Sequence, residues 1–199
     1  MKLYIKSAME FSDISQEDPD FILSILKSPR TRGGTLTNIY TMYVTKNNLS
    51  IGADTAHKMR VALASNPNTP ANILVKLSEW SKEICRLVVE NRNAPAELLT
   101  ELSKDRIAAI RKSVAKHPNT PANVLKELSK DIEAIVRLSV ATNHNTPEPT
   151  LKKLSRDKNW YVREGVAKNA MTPKSILEVL LNDPEEDIRN AASNALKYK

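Results

Sequence analysis

Pairs of leucines three residues apart recur along the chain: Leu74 and Leu77, Leu99 and Leu102, Leu125 and Leu128, Leu151 and Leu154, Leu177 and Leu180. That spacing predicts one buried stripe on a helix of two to three turns, here helix A. A second apolar pattern flanks a repeated arginine, one residue before it and three after, as in Ile110 and Val114 around Arg111 or Val136 and Val140 around Arg137. It predicts a second short helix, B. Between B and the next A stands a polar turn, Asn66-Pro67-Asn68-Thr69-Pro70 in its fullest form. It returns at Asn91 to Pro95, His117 to Pro121, Asn143 to Pro147 and Asn169 to Pro173, with closing prolines 25, 26, 26 and 26 residues apart. A fixed period of this length marks a stack of small units, none of which can bury its apolar face alone.

The polar positions assign themselves to joints. Thr69, Thr120, Thr146 and Thr172 can cap the first free amides of helix A, with the following proline at the first helical position. Asp105, Asp131, Asp157 and Asp183 can cap helix B. Six arginines recur (Arg60, Arg86, Arg111, Arg137, Arg163, Arg189), five with an aspartate six residues before them. Stacking turns these into alternating rows, with each guanidinium able to bridge carboxylates of its own and the adjacent unit. The turn asparagines Asn66, Asn91, Asn143, Asn169 and Asn194, with His117 in the equivalent slot, are expected to satisfy turn backbone groups. Small residues two after the arginine, Gly165 among them, mark close approach of neighbouring helices.

The Val-Arg-x-x-Val-Ala-x-Asn-Pro-x-Thr-Pro-x-x-x-Leu-x-x-Leu pattern, nearly intact over Ile110 to Leu128 and Val136 to Leu154, resembles the leucine-rich repeat variant family. The resemblance implies an all-α, HEAT-like right-handed α-solenoid of paired short helices, one of each pair short enough to be 3₁₀. The founding member carries a cysteine-ligated iron–sulfur module, and a chain with one cysteine cannot hold that module. Fold resemblance by itself says little about function.

The repeat fades upstream. Residues 1–53 read as a degenerate capping repeat and residues 54–199 as the repeat stack with a C-terminal capping helix. In the first part, a helix over about 20–27 precedes the turn-like Ser28-Pro29-Arg30-Thr31-Arg32, and Gly33-Gly34 reads as a loop. An insertion spans roughly 41–51, and residues 2–6 alternate like a short β-strand.

Composition narrows the class without naming a function. The apolar fraction of 41% fits a folded domain, and no apolar run is long enough to span a membrane. The start is too short and too charged for a secretion signal, so the expected location is cytoplasmic. Cys85 falls in the apolar slot before an arginine and reads as a small buried hydrophobe. His57, His117 and His144 are scattered, so neither a metal nor a cofactor is expected. Of the net charge of +7, the stretch 104–157 holds eleven basic against six acidic side chains.

If repeated residues are joints, contact with other molecules falls to positions that break the repeat. Counting three and seven after the capping position of helix B gives Val61, Leu87, Lys112, Leu138, Trp160 and Glu164 as a partner-binding stripe on the concave face. The first reading is a non-enzymatic scaffold that binds another protein there, with Trp160 as aromatic anchor. The alternative is a nucleic-acid binder using Arg106, Lys112, Lys116, Lys130, Lys152, Lys153 and Arg156. The remote alternative resembles the helical-repeat alkylpurine DNA glycosylases, with Asp157, Trp160 and Tyr161 as the local cluster.

Overall fold

The computed structural model describes residues 18–45 and 51–199. The expected strand at 2–6 lies outside them. Thirteen α-helices and one π-helical turn are present among the described residues, and no strand. They fall into two compact units, divided between Ala94 and Pro95.

In the first unit, α1 (Pro19–Lys27), α3 (Ala53–Ser65) and α5 (Lys82–Glu90) are the B helices, while α2 (Gly33–Ile39) and α4 (Ala71–Ser78) are the A helices. α3 packs between α1 and α5. The insertion enters as a π-helical turn, Tyr40–Val44, continuing α2. Gly33 and Gly34 begin α2 and are not a loop. A Cβ on Gly33 would stand 3.2 Å from both the Asn68 carbonyl oxygen and Pro70 Cγ, so the next turn crosses close over this helix start. Gly52, at φ +72°, supplies the left-handed residue that launches α3.

The second unit holds four A–B pairs: α6 (Ala96–Leu102) with α7 (Ala108–Lys116), α8 (Ala122–Leu128) with α9 (Ala134–Thr142), α10 (Glu148–Leu154) with α11 (Trp160–Lys168), and α12 (Lys174–Leu180) with α13 (Glu186–Leu196). The B helices stand side by side in the order α7, α9, α11, α13. Leu125, Leu151 and Leu177 from the A helices are fully buried, as are Val114, Val140 and Val166 from the B helices. Each contributes about 2 kcal/mol through burial. Both helix types are α-helical, so the 3₁₀ expectation for one of them does not hold. Closest approach is at Gly165, where a Cβ would lie 2.7 Å from Leu138 Cδ1 and 3.2 Å from Ala141 Cβ. The glycine is what lets α11 settle onto α9.

Two ladders join successive repeats. In the first, each turn asparagine donates both Nδ2 hydrogens to carbonyls of the preceding turn. Asn91 reaches Ala64 and Asn66, each at 2.8 Å, and Asn143 reaches Ala115 at 2.8 Å and His117 at 3.1 Å. Asn169 reaches Ala141 and Asn143 in the same way. The Oδ1 of each accepts the N–H two residues on, which closes the turn. Asn194 does not join: it is exposed inside α13 and its Oδ1 accepts from Lys197. The helix runs on through it, leaving no turn to close.

The threonines do not cap helix A. Thr69, Thr120, Thr146 and Thr172 donate backward to Leu63, Val114, Val140 and Val166 at 2.5–2.6 Å. The last carbonyls of helix B have no partner within the helix, and a hydroxyl six residues on reaches them once the Asn turn has folded the chain back. The prolines consequently occupy the position before the helix, extended at φ near −62°, and not its first residue.

The second ladder is ionic and runs in the second unit. Arg111, Arg137 and Arg163 each make a bidentate pair with the aspartate twenty residues ahead, Asp131, Asp157 and Asp183. Nε lies 2.6–2.7 Å from one carboxylate oxygen and Nη2 2.9 Å from the other. The aspartate of the arginine's own unit contributes its backbone carbonyl, at 2.8 Å for Asp131 beneath Arg137, and not its carboxylate. That carboxylate accepts the N–H two residues on, as in Glu133 to Asp131, so it fixes the A–B turn and leaves the helix N-terminus itself uncapped.

Arg60 breaks the series. Twenty residues ahead of it stands Trp80, and the guanidinium lies 3.6 Å over that ring. Its Nε is buried with no hydrogen-bond partner among the described residues, and burial holds the Arg60 pKa below its ordinary value. Asp54 pairs instead with the exposed Lys58.

Candidate functional site

Subtracting the ladders from the second unit leaves the N-terminal end of the B helices, where the residues change from repeat to repeat. Ile132 precedes α9 and is 85% exposed, Ile135 in its first turn is 44% exposed, and Tyr161 at the same register of α11 is 52% exposed. Ile107, also exposed, precedes α7. Large apolar side chains are thus left open at the same end of adjacent B helices, where single scattered ones would need no explanation.

The patch has a cleft in it. Ala134, Ile135, Leu138, Asn159 and Tyr161 line an open depression of about 330 Å³, predominantly apolar, between α9 and α11. Asn159 Oδ1 accepts the Tyr161 N–H at 3.0 Å and caps α11. The Trp160 and Tyr161 rings stack, with centroids 3.6 Å apart and planes 23° from parallel. Stacking on Trp160 restrains the Tyr161 ring that lines the cleft, which lowers the entropy lost when something packs on it.

Among the residues expected to form the stripe, Val61, Leu87, Lys112, Leu138, Trp160 and Glu164 are all half-buried. Leu138 forms the cleft floor and also packs on Gly165, so it serves both packing and surface. Glu164 binds Lys168 at 2.6 Å. Val61 and Leu87 belong to the first unit and do not line this cleft. Counting from the aspartate missed Ile132 and Ile135. The aspartate stands two residues before the residue that flanks the helix, so the outermost positions fall one and four after it.

Of the seven expected nucleic-acid contacts, Lys112 is half-buried and the other six are exposed, but they do not all share one place. Arg106, Lys130 and Arg156 lie in A–B turns and Lys152 and Lys153 end α10, while Lys116 ends α7 at the opposite end of the repeat. Lys130 is bound to both oxygens of Glu127 at 3.0 Å. Lys126, Lys130 and Lys153 border a separate groove of about 330 Å³ that includes Ala122, Pro147 and Pro149.

Asp157 is held on both oxygens: Arg137 donates at 2.7 and 2.9 Å, and the Asn159 N–H at 2.9 Å. Burial pushes its carboxyl up, and the Arg137 guanidinium with the Asn159 N–H outweighs that and holds it below the usual carboxylate range. In Asp131 and Asp183 the paired guanidinium is the leading cause of the same downward shift. Carboxylates committed in this way are poorly placed to take a proton or attack a base. Cys85 is 2% exposed, in keeping with its apolar slot. Among the described residues no three His, Cys, Asp or Glu side chains group as a metal site, and no helix is long and apolar enough to cross a membrane.

No family model matches the chain, and no curated protein matches it. Solved structures are similar to it, two of them as follows. One is a leucine-rich repeat variant with a repetitive structural motif, 18% identical, covering 95% of this chain and 88% of its own, at a TM-score of 0.38. The other is an engineered protein, 15% identical, covering 96% of this chain and 92% of its own, at a TM-score of 0.36. The all-α repeat architecture stands on the helix order and the two ladders.

Proposed function

We propose that the chain is a non-enzymatic repeat scaffold that binds another protein through the N-terminal ends of its B helices in the second unit. One observation carries this reading: Ile135 and Tyr161 remain open at an apolar cleft, with Ile132 exposed just before α9, while the neighbouring carboxylates Asp131 and Asp157 are taken up by the ladder. Burying such a patch releases water at about 25 cal/mol per Å² of apolar area, and a rigid aromatic pair beside a pocket is the usual anchor of a protein interface. A repeat fold suits the role, because the ladders set stability while the non-repeated surface is left to recognition. The dispersal of Lys116, Lys130 and Arg156, with Lys130 already paired, favours protein over nucleic acid.

The test is the triple variant Ile132→Ser, Ile135→Ser, Tyr161→Ser, compared with the natural chain in capture from a native extract. The variant is expected to lose the captured proteins while its melting temperature stays within about 3 °C, since the altered side chains are surface groups. Recovery of the same proteins in the same amounts would remove this face from the account. Leu138 and Trp160 are the less suitable positions, being half-buried.

A further inference from the structure

The charges around the apolar patch are ordered along the stack. The α7 end carries Lys104, Arg106 and Lys112, and the α13 end carries Glu185, Glu186 and Asp187. Between them, α9 presents Glu133, with the neighbouring Lys130 taken up by Glu127, and α11 presents Arg156 and Lys158. Asp131, Asp157 and Asp183 add little to this pattern because each is neutralised by its ladder arginine. The four helices therefore read basic, acidic, basic, acidic, with Ile132, Ile135 and Tyr161 in the middle.

A surface of that kind is its own complement when turned end for end. Pairing two copies about a two-fold axis between α9 and α11 sets α7 against the other copy's α13 and α9 against the other copy's α11. Lys104, Arg106 and Lys112 then meet Glu185, Glu186 and Asp187, and Glu133 meets Arg156 and Lys158. On the axis, the Ile135 and Tyr161 of each copy close over the cleft of the other. Alignment in the same direction would instead put like charge on like and is disfavoured. An interface that is identical on both partners and closes on itself is what a two-fold dimer requires. Four helices spaced about 8–10 Å apart give an edge about 25–30 Å long, which suits an association near the small end of protein interfaces, about 1,200 Å² in total.

We infer that the occupant of this face is a second copy of the chain, docked antiparallel across α9 and α11. The inference rests on the reading of the face as a protein-docking surface and adds to it the identity of the partner.

Sedimentation equilibrium of the full chain tests it. The natural protein is expected to move from 22.2 kDa toward twice that mass as its concentration rises through the micromolar range, and to shift back in high salt. Two variants, Lys104→Glu with Arg106→Glu and Glu185→Lys with Glu186→Lys, should each weaken dimerisation by more than about tenfold. An equimolar mixture of the two should recover the dimer, because one now carries acid at both ends and the other base at both ends. Loss of fold cannot mimic that recovery. A natural chain that stays monomeric throughout, or a mixture that does not associate, overturns the inference. A monomer that instead binds a fluorescent oligonucleotide overturns it in favour of nucleic acid. A monomer whose triple serine variant still loses captured proteins overturns self-docking alone and leaves the docking face standing.

Discussion

Replacing Asn143 by aspartate is expected to cost about 4 kcal/mol, although the two side chains have nearly the same shape. Asn143 is 6% exposed, and its Nδ2 serves the carbonyls of Ala115 and His117. The substituted carboxylate would still accept the Asn145 N–H, as Oδ1 does now at 2.8 Å. What changes is the other half of the head group. The Ala115 carbonyl loses the Asn143 donor, at about 1–3 kcal/mol, the His117 carbonyl is left with the Thr120 N–H, and a carboxylate oxygen is brought against both without a counter-charge. Asn143→Ala removes the donors and the acceptor of the Asn145 N–H but brings no charge against the carbonyls, and should cost less. For a chain of this size the aspartate variant should melt roughly 10 °C lower. A shift under about 2 °C would mean that the asparagine ladder does not hold the stack.

Arg137→Met is the second large effect, at about 3 kcal/mol. Arg137 and Asp157 are 8% and 9% exposed as side chains, so removing the guanidinium leaves a nearly buried carboxylate with only the Asn159 N–H. The carbonyls of Asp131 and Ile132 lose a donor as well. Adding Asp157→Leu should recover more than half of the loss, because a buried pair can be exchanged for apolar packing at little net cost. Acid provides a second readout. The folded Asp157 pKa is depressed, so its contribution is complete above the unfolded value of about 3.9 and is lost as pH falls through the folded one. Chemical denaturation of the natural chain should therefore weaken below about pH 4, and Arg137→Met should show a flatter acid limb. Equal slopes would contradict the ladder.

Most of the fold was legible because it is written five times over. The leucine pairs, the Asn-Thr turns and the arginine slots each fix one joint, and repetition fixes how the joints meet. The direction of the threonine hydroxyl was not legible. A Thr-Pro before a helix offers a cap for the helix ahead, but in the folded turn the hydroxyl reaches a carbonyl at the end of the helix behind, beside the turn asparagine's N–H on the same oxygen. The Arg60 departure could have been found by counting twenty residues forward, where aspartate stands in three later repeats and Trp80 stands here. The candidate site was half legible. Trp160 and Leu138 stood out as irregular, whereas Ile132 and Ile135 were hidden by the assumption that the aspartate marks the helix start. It marks the turn before it. Charge order along α7, α9, α11 and α13 needed the helix neighbours to be known, since sequence separates those charges by about a repeat each.

A photoreactive benzophenone side chain placed at Tyr161, with a second chain carrying it at Lys152 on α10, tests the central claim most directly. Irradiation of each in native extract, followed by mass analysis, should give discrete adducts from position 161, whether to another protein or to a second copy, and none from position 152. Adducts at 152 with none at 161 would contradict the assignment of recognition to the non-repeated ends of the B helices.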